Sequence, residues 1–307
     1  MTRIALATCS ALPDLGTGDV PLLDALRSRG ATAEPAVWDD ASIDWASYDL
    51  VVIRSTWDYA QRREEFLDWV ARVEAVTRLA NPISVVRWNT DKHYLRELEQ
   101  AGVGVVPTMW LEPERNLTSR ALHTRFPADG DFVIKPAVSA GSRDTGRYTA
   151  INANSRGLAI QHARRLLRED RTVMVQRYLT SVDTHGERAH VFVAGEYSHS
   201  VVKEAMLDGP DVGVEGVYKE ETMRSGSASE SEIAVARTII DTAARLLSVE
   251  ADVADASTFL YARVDVVSDD EGEPVLMELE LVEPSMFLEL AEGALDRFAD
   301  AIMARAS

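Results

Sequence analysis

"LMELELVEPSMFLEL", residues 276–290, places Glu278 and Glu280 inside an apolar run of strand length. Side chains of a strand alternate between faces, so the two carboxylates share one face, about 7 Å apart along the chain. Met277, Leu279 and Leu281 then point the other way and form the packing face. Upstream, "FLYARVDVV" (259–267) alternates in the same manner. Leu260, Ala262, Val264 and Val266 make one face, and Tyr261, Arg263, Asp265 and Val267 the other. The link "SDDEGEP" contains Gly272 and is short enough for a hairpin. Directly opposed residues on paired strands point to the same face. A register with Asp265 opposite Glu278 therefore puts Arg263 opposite Glu280.

Three carboxylates within about 4–7 Å repel one another, so some protonate or a cation sits among them. With no His or Cys close by, a hard, oxygen-seeking ion such as Mg²⁺ suits the set. The alternative is a half-exposed hairpin whose Glu and Arg are surface charges. The strand pattern leaves both open.

The 307 residues are enough for a large core, in one large domain or two to three smaller ones. A formal charge of −18 disfavours a broad footprint on a phosphate backbone, so no nucleic-acid partner is expected. No apolar run of about 18 residues is present, and "MTRIALATCS" is too short for a signal peptide, so no membrane association is expected. Cys9 is alone, which excludes a disulfide within the chain and suggests the cytoplasm. The oligomeric state is open, a homodimer among the options. The cations are sharper: Lys92, Lys135, Lys203 and Lys219 are the only lysines among 32 basic residues. A chain that otherwise uses Arg keeps Lys where a compact ammonium is needed.

"RIALAT" (3–8) and "YDLVVIRS" (48–55) read as strands, and "DVPLLDALRSRG" (19–30) and "REEFLDWVARVEAV" (63–76) as amphipathic helices. The alternation predicts a small parallel-sheet domain over 1–88. Ligands collect at the carboxyl ends of such strands, here "TCS" (8–10) and "RSTWDY" (54–59). "NTDKHYLRELEQAG" (89–102) predicts a helix with Lys92 in its first turn. "DFVIKP" (131–136) is a strand followed by a small-residue loop, 137–148. A helix over 155–170 and a strand "VMVQRYL" (173–179) follow. "RAHVFVAGEYSHSVVK" (188–203) predicts a hairpin turning near Gly195. Residues 204–230 lack periodicity and read as a mobile loop containing Lys219. A helix over 232–247 and a helical tail from Phe287 complete the chain.

These strings together resemble the ATP-grasp ligases along nearly the whole chain. The resemblance implies an α/β (α+β) fold: an N-terminal parallel-sheet domain (1–88) and two α+β subdomains (89–172 and 173–307) holding ATP between antiparallel sheets. "RVDVV" and "MELELVEPSM" match the family's metal-binding strands, which makes Asp265, Glu278 and Glu280 the implied ligands of Mg²⁺, with Mn²⁺ as a second option. Glu280 stands where many members have Asn. Arg263 matches the arginine that steadies the transferred phosphoryl group. "NTDKHYL" and "FVIKPAVSAGS" match the two phosphate lysines, Lys92 and Lys135, and the flexible loop carrying Ser139, Gly141 and Ser142. In such a loop, small residues let backbone N–H groups turn toward phosphate.

"VMVQRYLTSVDTHGE" resembles the adenine hinge. It implies that Gln176 faces the adenine amino group, the backbone at Tyr178 and Leu179 pairs with the base, and Glu187 accepts from the ribose. Lys203 is implied at the γ-phosphate or acyl intermediate, and Lys219 in a lid. "RSTWDY", "RWNTDK" and "GEYSHSVVK" most resemble the subgroup that includes the cyclo-ligase closing O-ureido-serine to cycloserine. On the substrate side stand Arg54, Trp57, Asp58, Tyr59 and His199, with Arg54 suited to a carboxylate and Asp58 to an amine. Ordinary packing is the alternative for Trp57 and Tyr59, and a hydrogen-bonded strand histidine for His199.

The implied activity is ATP- and Mg²⁺-dependent activation of the carboxylate of a small amino-acid-like substrate as an acyl phosphate, then attack by nitrogen, within one molecule in the cyclo-ligase case. The alternatives are an intermolecular ligase of the glutathione-synthetase or D-alanine–D-alanine type, and a nucleotide-binding regulatory module without turnover.

Overall fold

The computed structural model describes residues 1–213, 216, 219, 222–249 and 253–307. The first sheet contains β1 (Arg3–Thr8), β2 (Thr32–Val37), β3 (Leu50–Ser55) and β4 (Arg78–Ala80), all parallel in the order β2-β1-β3-β4. Parallel neighbours need crossovers, which α1 (Val20–Ser28) and α2 (Arg63–Glu74) supply. Alternate residues of β1 enter different cores, Ile4 and Leu6 on one face and Ala5 and Ala7 on the other. β2 carries Pro35 and Glu34 and had no clear strand pattern; it lies at the sheet edge, where proline is tolerated.

Next come α3 (Ile83–Asn89), α4 (Tyr94–Gln100), β5 (Thr108–Leu111), α5 (Ser119–Arg125), β6 (Asp131–Pro136), β7 (Gly146–Thr149), α6 (Ala153–Arg168) and β8 (Val173–Arg177). The strands form an antiparallel sheet, β5-β8-β6-β7. β8 sits between β5 and β6, so residues from 173 to 177 belong with this sheet rather than with the C-terminal one. The helix expected over 89–102 is α4, which begins only at Tyr94, so Lys92 lies in the turn between α3 and α4 and not in the first turn of the helix. Asp91 Oδ1 accepts from the His93 amide and faces its ring, while the Lys92 N–H donates to the Ala137 carbonyl at 3.0 Å. That turn docks Lys92 on the small-residue loop.

The last sheet follows α7 (Ser181–His185). It contains β9 (Glu187–Val193), β10 (Glu196–Lys203), β11 (Met223–Gly226), β12 (Tyr261–Ser268) and β13 (Pro274–Glu280), with α8 (Glu230–Leu247) before β12 and α9 (Ala294–Ala306) at the end. The order is β11-β10-β9-β12-β13, antiparallel throughout. The hairpin turns at Gly195, whose φ of +79° suits glycine. Ser229 and Glu232 form a capping box that starts α8. Within 204–230, read as loop, Met223–Gly226 pairs with β10; positions 214, 215, 217, 218, 220 and 221 lie outside the described residues.

The decisive hairpin has the expected register, Asp265 opposite Glu278 and Arg263 opposite Glu280. It also has a bulge. The pairing steps from Asp265–Glu278 to Val266–Leu276, which leaves Met277 as the extra residue. The packing face is therefore Leu276, Leu279 and Leu281, all buried against Ala262, Val264 and Val266. Met277, expected in the core, turns to the same side as Glu278 and lines the cleft described next.

Candidate active site

A cleft of about 610 Å³ takes residues from the two antiparallel sheets and from N-terminal loops that follow β1 and β3. The C-terminal sheet supplies its charged floor. Arg263 donates from Nε and Nη2 to Asp265 (2.8 Å each), from Nη2 to Glu280, and from Nη1 to the Ser285 carbonyl at 3.1 Å. Lys203, at the end of β10, reaches Glu187 Oε1 at 2.7 Å and Asp265 Oδ2 at 3.2 Å. From the central sheet side, Lys92 donates to Glu278 Oε1 (3.0 Å) and to both oxygens of Ser139 (2.9 and 3.0 Å). Lys135 is buried at the end of β6, and among the described residues its ammonium has no hydrogen-bond or ion-pair partner.

Each acid of the floor has its own balance. Burial would raise Asp265, but Arg263 and then Lys203 outweigh it and hold the carboxyl well below the usual range. Burial likewise opposes ionisation of Glu278, and Lys92 and Lys135 reverse it. Glu280 goes the other way: burial, reinforced by Glu278 and Asp265 against the pull of Arg263, pushes it up to about 8. Burial also lifts Glu187 to about 7 and lowers the Lys135 ammonium.

Four expected residues lie off the cleft wall. Arg54 is fully buried, donating to Asp19 Oδ1 (2.9 and 3.1 Å) and the Pro284 carbonyl (2.8 Å), between the rings of Tyr261 and Phe298 at 5.4 Å. It is a pin between the N-terminal sheet and the C-terminal segment, which corrects its reading as a substrate contact. Asp58 is occupied by Trp38 Nε1 (2.9 Å) and Arg62 (2.5 Å), which corrects its reading as an amine site. His199 is buried and its Nε2 faces the Met286 carbonyl at 2.8 Å, so it supports the cleft wall from behind. Asp265 is sealed behind Arg263 and Lys203.

The rest converge. Trp57 and Tyr59 line the cleft, as do Ser139, Gly141, Ser142, Gln176, Tyr178, Leu179, Glu187, Lys203, Arg263, Glu278 and Glu280. Gln176 is oriented by the Thr108 hydroxyl at 2.8 Å. The Tyr178 N–H is taken by the Asp131 carbonyl, whereas the Leu179 N–H meets no acceptor among the described residues. All four lysines border the cleft; the Lys219 N–H donates to the Gly141 carbonyl at 3.0 Å and its ammonium to the Thr145 carbonyl at 3.3 Å.

The sequence reading missed the Gly16–Asp19 loop and Glu283 with the Ser285–Phe287 turn behind it. The loop follows β1, where ligand contacts were expected a few residues earlier at 8–10. Glu283 lay in the opening stretch, three residues past Glu280, without a strand pattern to mark it.

Among the described residues, no group of three His, Cys, Asp or Glu side chains is arranged to hold a metal ion. Glu278 and Glu280 nonetheless present carboxylate oxygens to the cleft, which suits a hard divalent ion. Asp265 can join them only if Arg263 and Lys203 release it. No helix among the described residues is long and apolar enough to cross a membrane.

Residues 4–81 match the family described as D-cycloserine synthetase DcsG, N-terminal domain. Over 307 residues the chain is 38% identical to the cycloserine biosynthesis protein DcsG of Streptomyces lavendulae, covering 99% of each chain. The crystal structure of D-cycloserine synthetase DcsG superposes with a TM-score of 0.86 at 35% identity, over 99% of this chain and 100% of that one. The fold is shared more distantly with D-alanine–D-alanine ligase of Bacillus anthracis (TM-score 0.65, 12% identity, 100% and 97% covered). It is shared also with the ATP-grasp ligase PsnB, solved with Mg, ADP and a phosphomimetic variant of its minimal precursor (0.59, 17%, 100% and 99%). A reading without turnover falls with these relatives. Identity at this level along both whole chains decides the family: the protein belongs to the DcsG-type ATP-grasp ligases and is an ATP-dependent ligase forming C–N bonds.

Proposed function

We propose that this ligase activates the carboxylate of an O-ureido-serine-type amino acid and closes it on its own nitrogen to give cycloserine. One observation carries the reading. The family match over 4–81 covers the part of the chain that supplies Gly16–Asp19, Trp57 and Tyr59 to the cleft. The nucleotide side is common to intermolecular ligases, so the substrate side is what separates the two.

A substrate carboxylate oxygen attacks the γ-phosphorus of ATP, the bond to the bridging oxygen breaks, and ADP leaves with that electron pair. Lys135, with no partner among the described residues, Lys92 and Arg263 neutralise charge on the transferring phosphoryl oxygens. Mg²⁺ on Glu278 and Glu280, with Asp265 behind them, supplies further charge neutralisation when bound. Gln176 and the backbone at Tyr178 and Leu179 receive the adenine, and Glu187 the ribose. Ser139, Gly141 and Ser142 cradle phosphate, and Lys203 meets the acyl phosphate. Trp57 and Tyr59 wall the substrate side. Nitrogen of the same molecule then attacks the acyl carbon and phosphate leaves; the carbamoyl group on that nitrogen is lost by hydrolysis, as carbon dioxide and ammonia, to give cycloserine. Intramolecular attack benefits from an effective concentration far above that of a free second substrate.

The test is phosphate release with ATP, Mg²⁺ and O-ureido-D-serine, with mass analysis of the product. The expected product has the mass of cycloserine. Phosphate release that requires two amino acids and yields a linear dipeptide supports the intermolecular reading instead.

A further inference from the structure

The buried and half-buried acids lining the cleft are ion-paired with one exception among the described residues. Asp19 is held by Arg54, Glu187 by Lys203, Glu278 by Lys92 and Glu280 by Arg263. Glu283 is only 8% exposed, and among the described residues it enters no ion pair. Neutral groups grip it instead. The Tyr59 hydroxyl lies beside its carboxyl and favours its charged form, and Trp57 Nε1 donates to its backbone carbonyl at 3.1 Å. The next carbonyl, that of Pro284, accepts from Arg54. Tyr59 is itself fixed, buried and stacked on Phe66 at 4.9 Å. Three residues of the N-terminal domain thus hold one uncompensated carboxyl at the cleft wall, within electrostatic reach of Lys92, Glu278 and Arg263.

Acyl transfer to nitrogen needs such a group. The attacking N–H must lose its proton as the N–C bond forms. A carboxylate tied to a cation is a weak base with its oxygens engaged. One flanked by a phenol and tied to no cation has oxygens free to accept. We propose that Glu283 is the general base of C–N bond formation. Its carboxylate takes the proton of the substrate nitrogen as that nitrogen bonds to the acyl carbon, and phosphate departs with the C–O bonding pair. Burial pushes the Glu283 carboxyl up to about 7, against Tyr59, Lys92 and Arg263 and with the help of Glu278, which matches it to this task near neutral pH. Tyr261 also feels its charge from β12. Tyr59 is the positioning residue. The inference rests on the acyl-phosphate reading given above.

The test compares the wild type with Glu283→Gln, which keeps the shape and the Tyr59 contact, using ATP, Mg²⁺ and O-ureido-D-serine. Added hydroxylamine reports acyl phosphate as hydroxamate, while mass analysis reports cyclised product. The variant is expected to form hydroxamate within about threefold of wild type while cyclised product falls about 10²–10³-fold. That pattern also shows the variant to be folded. The acidic limb of the wild-type pH–rate profile near 7 should be absent from the variant. Tyr59→Phe should move this limb upward, a change that a purely structural tyrosine would not produce.

Parallel loss of hydroxamate and product would assign Glu283 to phosphoryl transfer and overturn the inference. An unchanged rate of cyclised product would overturn it too. A wild type that yields neither hydroxamate nor product is a different result, and it removes the acyl-phosphate reading and the base assignment together.

Discussion

Asp265 and Glu278 stand opposite each other on β12 and β13, yet different cations neutralise them. Asp265 is closed off by Arg263 and Lys203 from its own sheet, and Glu278 is met by Lys92 from the turn between α3 and α4. The floor of the cleft therefore holds charges that the protein balances itself, and on the proposed function nucleotide with its metal exchanges into that network.

Glu278 is the member of the pair that faces the cleft. Glu278→Gln should lower turnover about 10²-fold or more, because charge at the phosphoryl site acts on the transition state. Denaturant unfolding should change little, since the side chain is a cleft wall and Leu276 and Leu279 do the packing. A variant with wild-type turnover removes Glu278 from the nucleotide site.

Lys135 offers a cleaner separation of stability from activity. Its ammonium is desolvated and has no partner among the described residues, so Lys135→Met removes a cost and leaves no orphaned group. Thermal stability should hold or rise, while kcat/KM for ATP falls about 10²–10³-fold. A large drop in melting temperature with nucleotide affinity intact would contradict this.

Arg54→Ala tests the corrected role of Arg54. Removing one partner of a buried pair leaves Asp19 uncompensated and should cost about 3–5 kcal/mol of stability. The measurement is the midpoint of urea unfolding. A selective rise in substrate KM with unchanged stability would restore the substrate-contact reading.

Glu283 gives stability a sign with pH. Its folded pKa of about 7 exceeds the unfolded value near 4.3, so the native state binds the extra proton between them. The stabilisation is complete below the lower value and is lost as pH rises through the upper one. Relative to Glu283→Gln, the wild type should lose on the order of 2–3 kcal/mol between pH 4.5 and pH 8, since a tenfold difference in proton affinity corresponds to about 1.4 kcal/mol. Unfolding of both proteins across that range measures the difference; a constant gap rejects the burial of this carboxyl.

Much of this was legible in the chain. Alternation in 259–267 and 276–281 fixed the facing of Arg263, Asp265, Glu278 and Glu280, because strand geometry is local and its period is two. Strand–helix alternation gave the parallel sheet, and the scarcity of lysine pointed to four positions that all border one cleft. What the sequence could not decide depended on contacts between distant segments. Arg54 is fixed by Pro284, 230 positions away, and Asn81 by the carbonyls of Tyr261 and Leu281. The bulge at Met277 changed which residue packs, since ladder register is set by the partner strand and the core behind it. Glu283 has no periodic signal at all; its burial comes from the N-terminal domain closing over the end of β13. Local periodicity determined which side chains share a face, and only tertiary packing decided which of those faces meet solvent, cation or substrate.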